Sequence, residues 1–193
     1  MPQKIWEFLS ARAKPVWILT LLGAFLLCMI LFGIANGPFL EKSGGATSID
    51  THVFYTPGEA VRLLEAYGPE GRKLYFVGWA IDEFFPAVYS VLFALGIVSL
   101  LRRSGLTNPM WRWGAALPFA GAVFDYLENL LVAVMLLSYP ARGVRVIASV
   151  CVVFTLLKFL FFWASLLSLA VLALYPAVRK RIPAAKPVEK KEE

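Results

Sequence analysis

Histidine and cysteine are nearly missing from this chain. It holds one histidine, His52, and two cysteines, Cys28 and Cys151, in 193 residues. One imidazole cannot build a bis-His haem site or a His-rich metal centre. Both cysteines lie within apolar runs, where a thiol acts as a small apolar side chain, so a disulfide framework is not supported. Charge is scarce too. Only 17% of residues are Asp, Glu, Lys or Arg, against about a quarter in soluble domains. That shortage excludes a disordered chain, a nucleic-acid-binding module and most soluble enzymes. No HExxH, GxSxG or Walker-type loop is present, which removes several catalytic classes. The sequence implies no cofactor and no dedicated metal centre.

Apolar residues fill the space that charge leaves: they make up 59% of the chain, and the mean hydropathy is +0.68. Four long apolar stretches stand out, at about 16–36, 74–101, 113–139 and 146–175. Each is long enough to cross a hydrocarbon core of ~30 Å at 1.5 Å per residue. The expected fold class is all-α, a polytopic membrane protein built as a four-transmembrane-helix bundle. Its membrane domain covers 16–175, between a cytoplasmic N-terminal segment at 1–15 and a disordered basic cytoplasmic tail at 176–193. The first run follows Lys4, Arg12 and Lys14 but exceeds the roughly 7–15 residues of a signal-peptide core. It reads as a retained anchor helix.

Lys and Arg in the connecting segments set the orientation. The N-terminal segment, the connection between spans two and three (Arg102, Arg103, Arg112) and the tail together carry twelve, against six on the other side. Both termini are therefore expected inside, with the 37–73 loop outside. The basic excess, a net charge of +6, is mostly this topology signal, and nucleic acid is not an expected partner. Short loops point to a bacterial inner membrane, with membrane lipid as the surrounding partner and an oligomer compatible with the pattern. Within the outer loop, Thr56-Pro57-Gly58-Glu59 has capping-box spacing with Pro at the first helical position. It predicts a short amphipathic helix to about Tyr67, stopped by Gly68-Pro69.

Five formal charges fall inside the spans: Asp82, Glu83, Asp125, Glu128 and Lys158. Each costs roughly 2.5–3.5 kcal/mol at a helix centre on the insertion scale, so such residues face the bundle interior and find partners. Asp125, Glu128 and Asn129 stand at i, i+3 and i+4 and share one helix face, which Gly114, Pro118 and Gly121 continue. Pro86 frees the backbone carbonyl of Asp82, and Tyr89 lies on the Asp82 face. Cys151, Thr155, Lys158, Phe162 and Ser165 form a stripe on span four. By helix rise, Asp82, Glu128 and Asn129 lie roughly 12–15 Å below the outer boundary, and Asp125 and Lys158 roughly 18 Å. Arg72 and Tyr75 stand at the mouth.

The ligand-binding candidates are thus Asp82, Asp125, Glu128, Asn129, Lys158, Arg72 and Tyr89. Four carboxylates face one lysine, an unfavourable balance unless some acids are protonated, a cation or basic ligand binds, or an outer arginine bends in. Oxygen donors of this kind suit Mg²⁺, Ca²⁺ or Na⁺ better than zinc or copper. Asp125-x-x-Glu128-Asn129 also resembles half of the diphosphate-binding acidic motif of membrane prenyltransferases, without a convincing second half. Three functions remain open on these residues. One is binding or transport of a cation, proton or amine-bearing ligand. Another is lipid modification, with the cluster acting on a lipid head group. The third is an accessory role in which the polar contacts only hold helices together.

The set Gly71-Arg72-x-x-Tyr75, Asp82-x-x-Phe85-Pro86-x-x-Tyr89, Asp125-x-x-Glu128-Asn129 and Lys158 resembles a widespread, uncharacterised family of small bacterial four-span integral membrane proteins. The resemblance spans roughly residues 50–175 and implies the four-span fold without implying an activity.

Overall fold

The computed structural model describes residues 1–106 and 108–181. It is all-helical over those residues, and four helical stretches are long and apolar enough to cross a membrane. The order is α1 (Gln3–Arg12), α2 (Pro15–Lys42), α3 (Pro57–Asp82), α4 (Phe85–Ser104), α5 (Leu117–Ser138) and α6 (Val144–Arg181). Short 3-10 turns occupy Ile49–Thr51 and Pro109–Ala116. α3 and α4 together make the second crossing.

The helices begin and end where local chemistry directs. Thr56 caps α3 as expected: Glu59 N–H donates to Thr56 Oγ1 at 3.2 Å, and the Thr56 N–H donates to Glu59 Oε2 at 2.7 Å. At Gly68 the backbone turns to φ 59°, a left-handed value that favours glycine. The expected stop is a kink, however. Pro69 fits the first position of a new helix, so the helix resumes at once and leads into the crossing.

Two further boundaries differ from the expectation. α2 runs through Pro38 to Lys42, so the outer connection shrinks from 37–73 to 43–56. Likewise α6 continues through Pro176 to Arg181, where a disordered tail is expected from 176. A proline removes one backbone bond, but the Ala, Lys and Arg that follow have high helix propensity. Residues 182–193 of the expected tail lie outside the described residues. The N-terminal segment forms α1, which no sequence signal marked.

α5 and α6 make the most extensive helix pair, α4 packs on both, and α2 packs on α3 and α4. The close approach of α5 to α6 rests on Gly121. A Cβ there would lie 3.4 Å from Phe161 Cβ and from Tyr89 Oη, and small residues at such crossings let helices meet. One apolar core lies at the end of the bundle that carries the 43–56 connection, with Leu64, Tyr67, Tyr75, Val132, Met135 and Cys151. Others lie at mid-bundle, with Tyr89, Phe93 and Ala122, and toward the opposite end, with Leu95, Ile97, Val98 and Leu101. Leu26, Ile30 and Ile34 of α2 and Leu160, Trp163 and Leu167 of α6 face outward, as lipid-facing residues do.

Candidate functional site

Between the first two of these cores, α5 turns its polar face inward. Asp125, Glu128 and Asn129 are all buried, with Pro118, Gly121 and Val132 on the same side, while Leu127 and Leu130 are exposed. The 3.6-residue period accounts for this segregation. α6 presents its stripe to that face, and Cys151, Thr155 and Ser165 are fully buried.

Lys158 is shared by two acids. Its Nζ lies 3.2 Å from Asp125 Oδ1 and also pairs with Glu128. Each acid has one further donor. Thr155 Oγ1 donates to Glu128 Oε1 at 2.6 Å, and Tyr89 Oη donates to Asp125 Oδ2 at 3.2 Å. Thr155 is the unassigned member of this group; its place on the Lys158 stripe was the available signal.

Asn129 has a different task. Its Nδ2 donates to the backbone carbonyl of Asp82 at 3.3 Å. That is the carbonyl that Pro86 deprives of its helical N–H, so the proline break between α3 and α4 is closed by a side chain from α5. Trp79 Nε1 in turn donates to the Asn129 carbonyl at 3.1 Å, and Tyr126 Oη donates to the Glu83 carbonyl at 3.1 Å. Asn129 is thereby a fixed helix-joining residue rather than a free ligand.

Asp82 is placed otherwise. It is 7% exposed. Its carboxylate lines a cavity of about 690 Å³, and no described residue donates to it or pairs with it. Asp125, Lys158 and Tyr89 line the same cavity, whereas Glu128 and Asn129 lie behind its wall. The cavity occupies the space between α2 and α6, backed by α3 and α4.

Its two ends differ. Toward the 43–56 connection stand Asn36, Phe39, Ser48, Asp50, Thr51, Leu74 and Tyr75. Beyond Asp82, toward α4, stand Phe25, Met29, Phe85, Tyr89 and Phe162. Asp50 is held by Tyr75, whose Oη donates to Asp50 Oδ1 at 2.8 Å. Sequence reasoning missed Asp50 because it sits in a segment rich in Gly, Ser and Thr. The one hint is its neighbour Ile49, an apolar residue in a polar stretch, which is fully buried and anchors the turn. Trp79 is another lining residue.

Arg72 does not join the site. Its Nη1 donates to the Leu64 carbonyl at 3.0 Å, and its guanidinium lies 5.0 Å from the Tyr139 ring centroid. Gly68 breaks the helix after Leu64, which offers Arg72 a backbone acceptor, so Arg72 does not correct the charge balance. Around the cavity Asp50, Asp82 and Asp125 face one lysine, and that lysine is also held by Glu128. Among the described residues no group of three or more His, Cys, Asp and Glu is arranged to hold a metal ion. Comparison with family models, with curated proteins and with solved structures gives no match.

Proposed function

We propose that this integral membrane protein, oriented with both termini inside in a bacterial inner membrane, binds a cation, proton or amine-bearing small ligand at Asp82, with transport of that ligand the activity such a site serves. The ligand reaches Asp82 from the outer side, past Asp50 and Tyr75. Membership of the small four-span family that the motifs resemble is part of the same proposal. The observation that carries the reading is the Asp82 carboxylate: buried, turned to a cavity and without a donor or cation from the protein. An ionised carboxylate in that position is strongly unfavourable unless something positive completes it. Simple interhelical bonding does not account for it, because the helix-joining contacts are made by Lys158, Thr155 and Asn129 without the Asp82 carboxylate.

A second reading, modification of a membrane lipid, is favoured by one feature. The cavity lies between α2 and α6, and its lining residue Met29 is 49% exposed, an opening that would admit a lipid head group from the side. Native mass spectrometry of gently solubilised protein tests the main reading. A small cationic adduct is expected on the wild type and absent from Asp82→Asn. An identical adduct pattern on both proteins overturns the assignment of Asp82, and a phospholipid adduct lost in the variant favours the second reading instead.

A further inference from the structure

We infer that the ligand of the Asp82 cavity is an organic ammonium with an apolar body, a net-cationic amphiphile, rather than an inorganic ion or a proton alone. The inference rests on the proposed cation site and adds the ligand's chemical class. Size argues first. A cavity of about 690 Å³ is in the range of about 300–1,000 Å³ typical of small-molecule sites, far beyond the need of a proton or a bare ion. A hard metal ion also requires several oxygen ligands, and among the described residues no group of three or more His, Cys, Asp and Glu is arranged to hold one.

The polarity of the walls argues next. From Phe25 to Phe39 the lining follows α2, a span of ~21 Å at the helical rise. Asp82 lies partway along. Its outer side carries the polar groups Ser48, Asp50 and Thr51 beside Phe39 and Leu74, and its other side is aromatic without a further polar loop. The aromatic end is a connected set held in place. Phe85 sits 5.2 Å from Phe25 and 5.3 Å from Tyr89, and Tyr89 sits 5.2 Å from Phe162. The Tyr89 hydroxyl is fixed by its bond to Asp125. Ring faces attract cations and accept alkyl or aryl groups. An ammonium at Asp82 with an apolar body among these rings uses both halves.

Charge selects within the class. A zwitterionic phospholipid would bring its phosphate within a few ångströms of its own ammonium, among Asp50, Asp82 and Asp125, where like charge repels it and Lys158 is already paired with Asp125 and Glu128. The ligand therefore carries positive charge without a neighbouring anion.

The test uses the full chain in phosphatidylcholine nanodiscs at pH 7, with empty discs subtracted. The probes are 4-phenylbutylamine, its neutral counterpart 4-phenylbutanol, and methylammonium chloride. Saturable binding of 4-phenylbutylamine is expected, at least tenfold tighter than either comparator. Asp82→Asn should weaken the amine at least tenfold and leave the alcohol unchanged. The second variant is Phe25→Ala. Phe25 lines the cavity at its aromatic end, 5.2 Å from Phe85, so the truncation removes the wall that the apolar body touches. It should weaken 4-phenylbutylamine at least tenfold and spare methylammonium.

If methylammonium binds as tightly as 4-phenylbutylamine and both depend on Asp82, the inference is overturned and the cation site stands. If no cation shows binding that depends on Asp82, both fall. Competition by phosphatidylethanolamine added to the discs would overturn the exclusion of lipid head groups.

Discussion

Replacing Lys158 with methionine tests the electrostatics of the bundle most directly. The substitution keeps an unbranched apolar stem and deletes the ammonium. Two carboxylates then lose their cation: Glu128, with no exposed surface, and Asp125, at 5% exposure. Their remaining donors, Thr155 at 2.6 Å and Tyr89 at 3.2 Å, are already engaged in the wild type and offer nothing new. Removing one partner of a buried ion pair costs about 3–5 kcal/mol, because an uncompensated charge is left behind. An ordinary interhelical hydrogen bond in a membrane averages about 0.6 kcal/mol, so the two scales are well separated. Unfolding by SDS titration in mixed micelles, followed by tryptophan fluorescence, should show Lys158→Met destabilised by about 3–5 kcal/mol. Adding Glu128→Gln removes the more deeply buried orphan charge and should restore about half of that loss. A single-variant loss within the ~0.6 kcal/mol of a common hydrogen bond, or no recovery in the double variant, would refute the buried triad as the main tie between α5 and α6.

Two further outcomes follow from the packing and the cap. Gly121→Leu inserts bulk where α5, α6 and Tyr89 converge; overpacking of that kind should cost about 1–3 kcal/mol in the same titration. The capping box gives a pH-dependent test outside the membrane. The Thr56 backbone N–H, and then its hydroxyl, hold the Glu59 carboxyl below its ordinary value. The stabilisation is therefore complete above the unfolded-state value and disappears as pH falls through the lowered folded value. Glu59→Gln should speed amide exchange across residues 57–67 at neutral pH, and the gap from wild type should close in strong acid. A gap that persists unchanged in acid would mean that the Glu59 charge does not hold the cap.

Much of the site was legible because it depends on local geometry. Asp125, Glu128 and Asn129 share a face by helical period alone, and that face is buried. Pro86 announced a free carbonyl at Asp82, and a polar residue on a neighbouring helix had to answer it. Its identity, Asn129, follows from the α4–α5 arrangement and not from spacing. Arg72 illustrates the limit. From sequence it is a cation at the mouth; in the fold it bends to a carbonyl exposed by the Gly68 kink. Asp50 illustrates the converse, since a residue in a featureless polar segment reaches the cavity because Ile49 and Tyr75 hold the turn against the bundle.

Hydropathy, helical period and end chemistry act within one segment, so the sequence by itself determined the four crossings, the inward face of α5, the polar stripe of α6 and the start of α3. The partnering of charges does not act within one segment. Asp82, Asp125 and Lys158 come from three helices, and nothing in their spacing says which carboxylate is left over. The tertiary structure decided that Lys158 serves Asp125 and Glu128. It also decided that Asp82 faces open space between α2 and α6, because the close approach at Gly121 draws α5 onto α6 while α2 packs on α3 and α4.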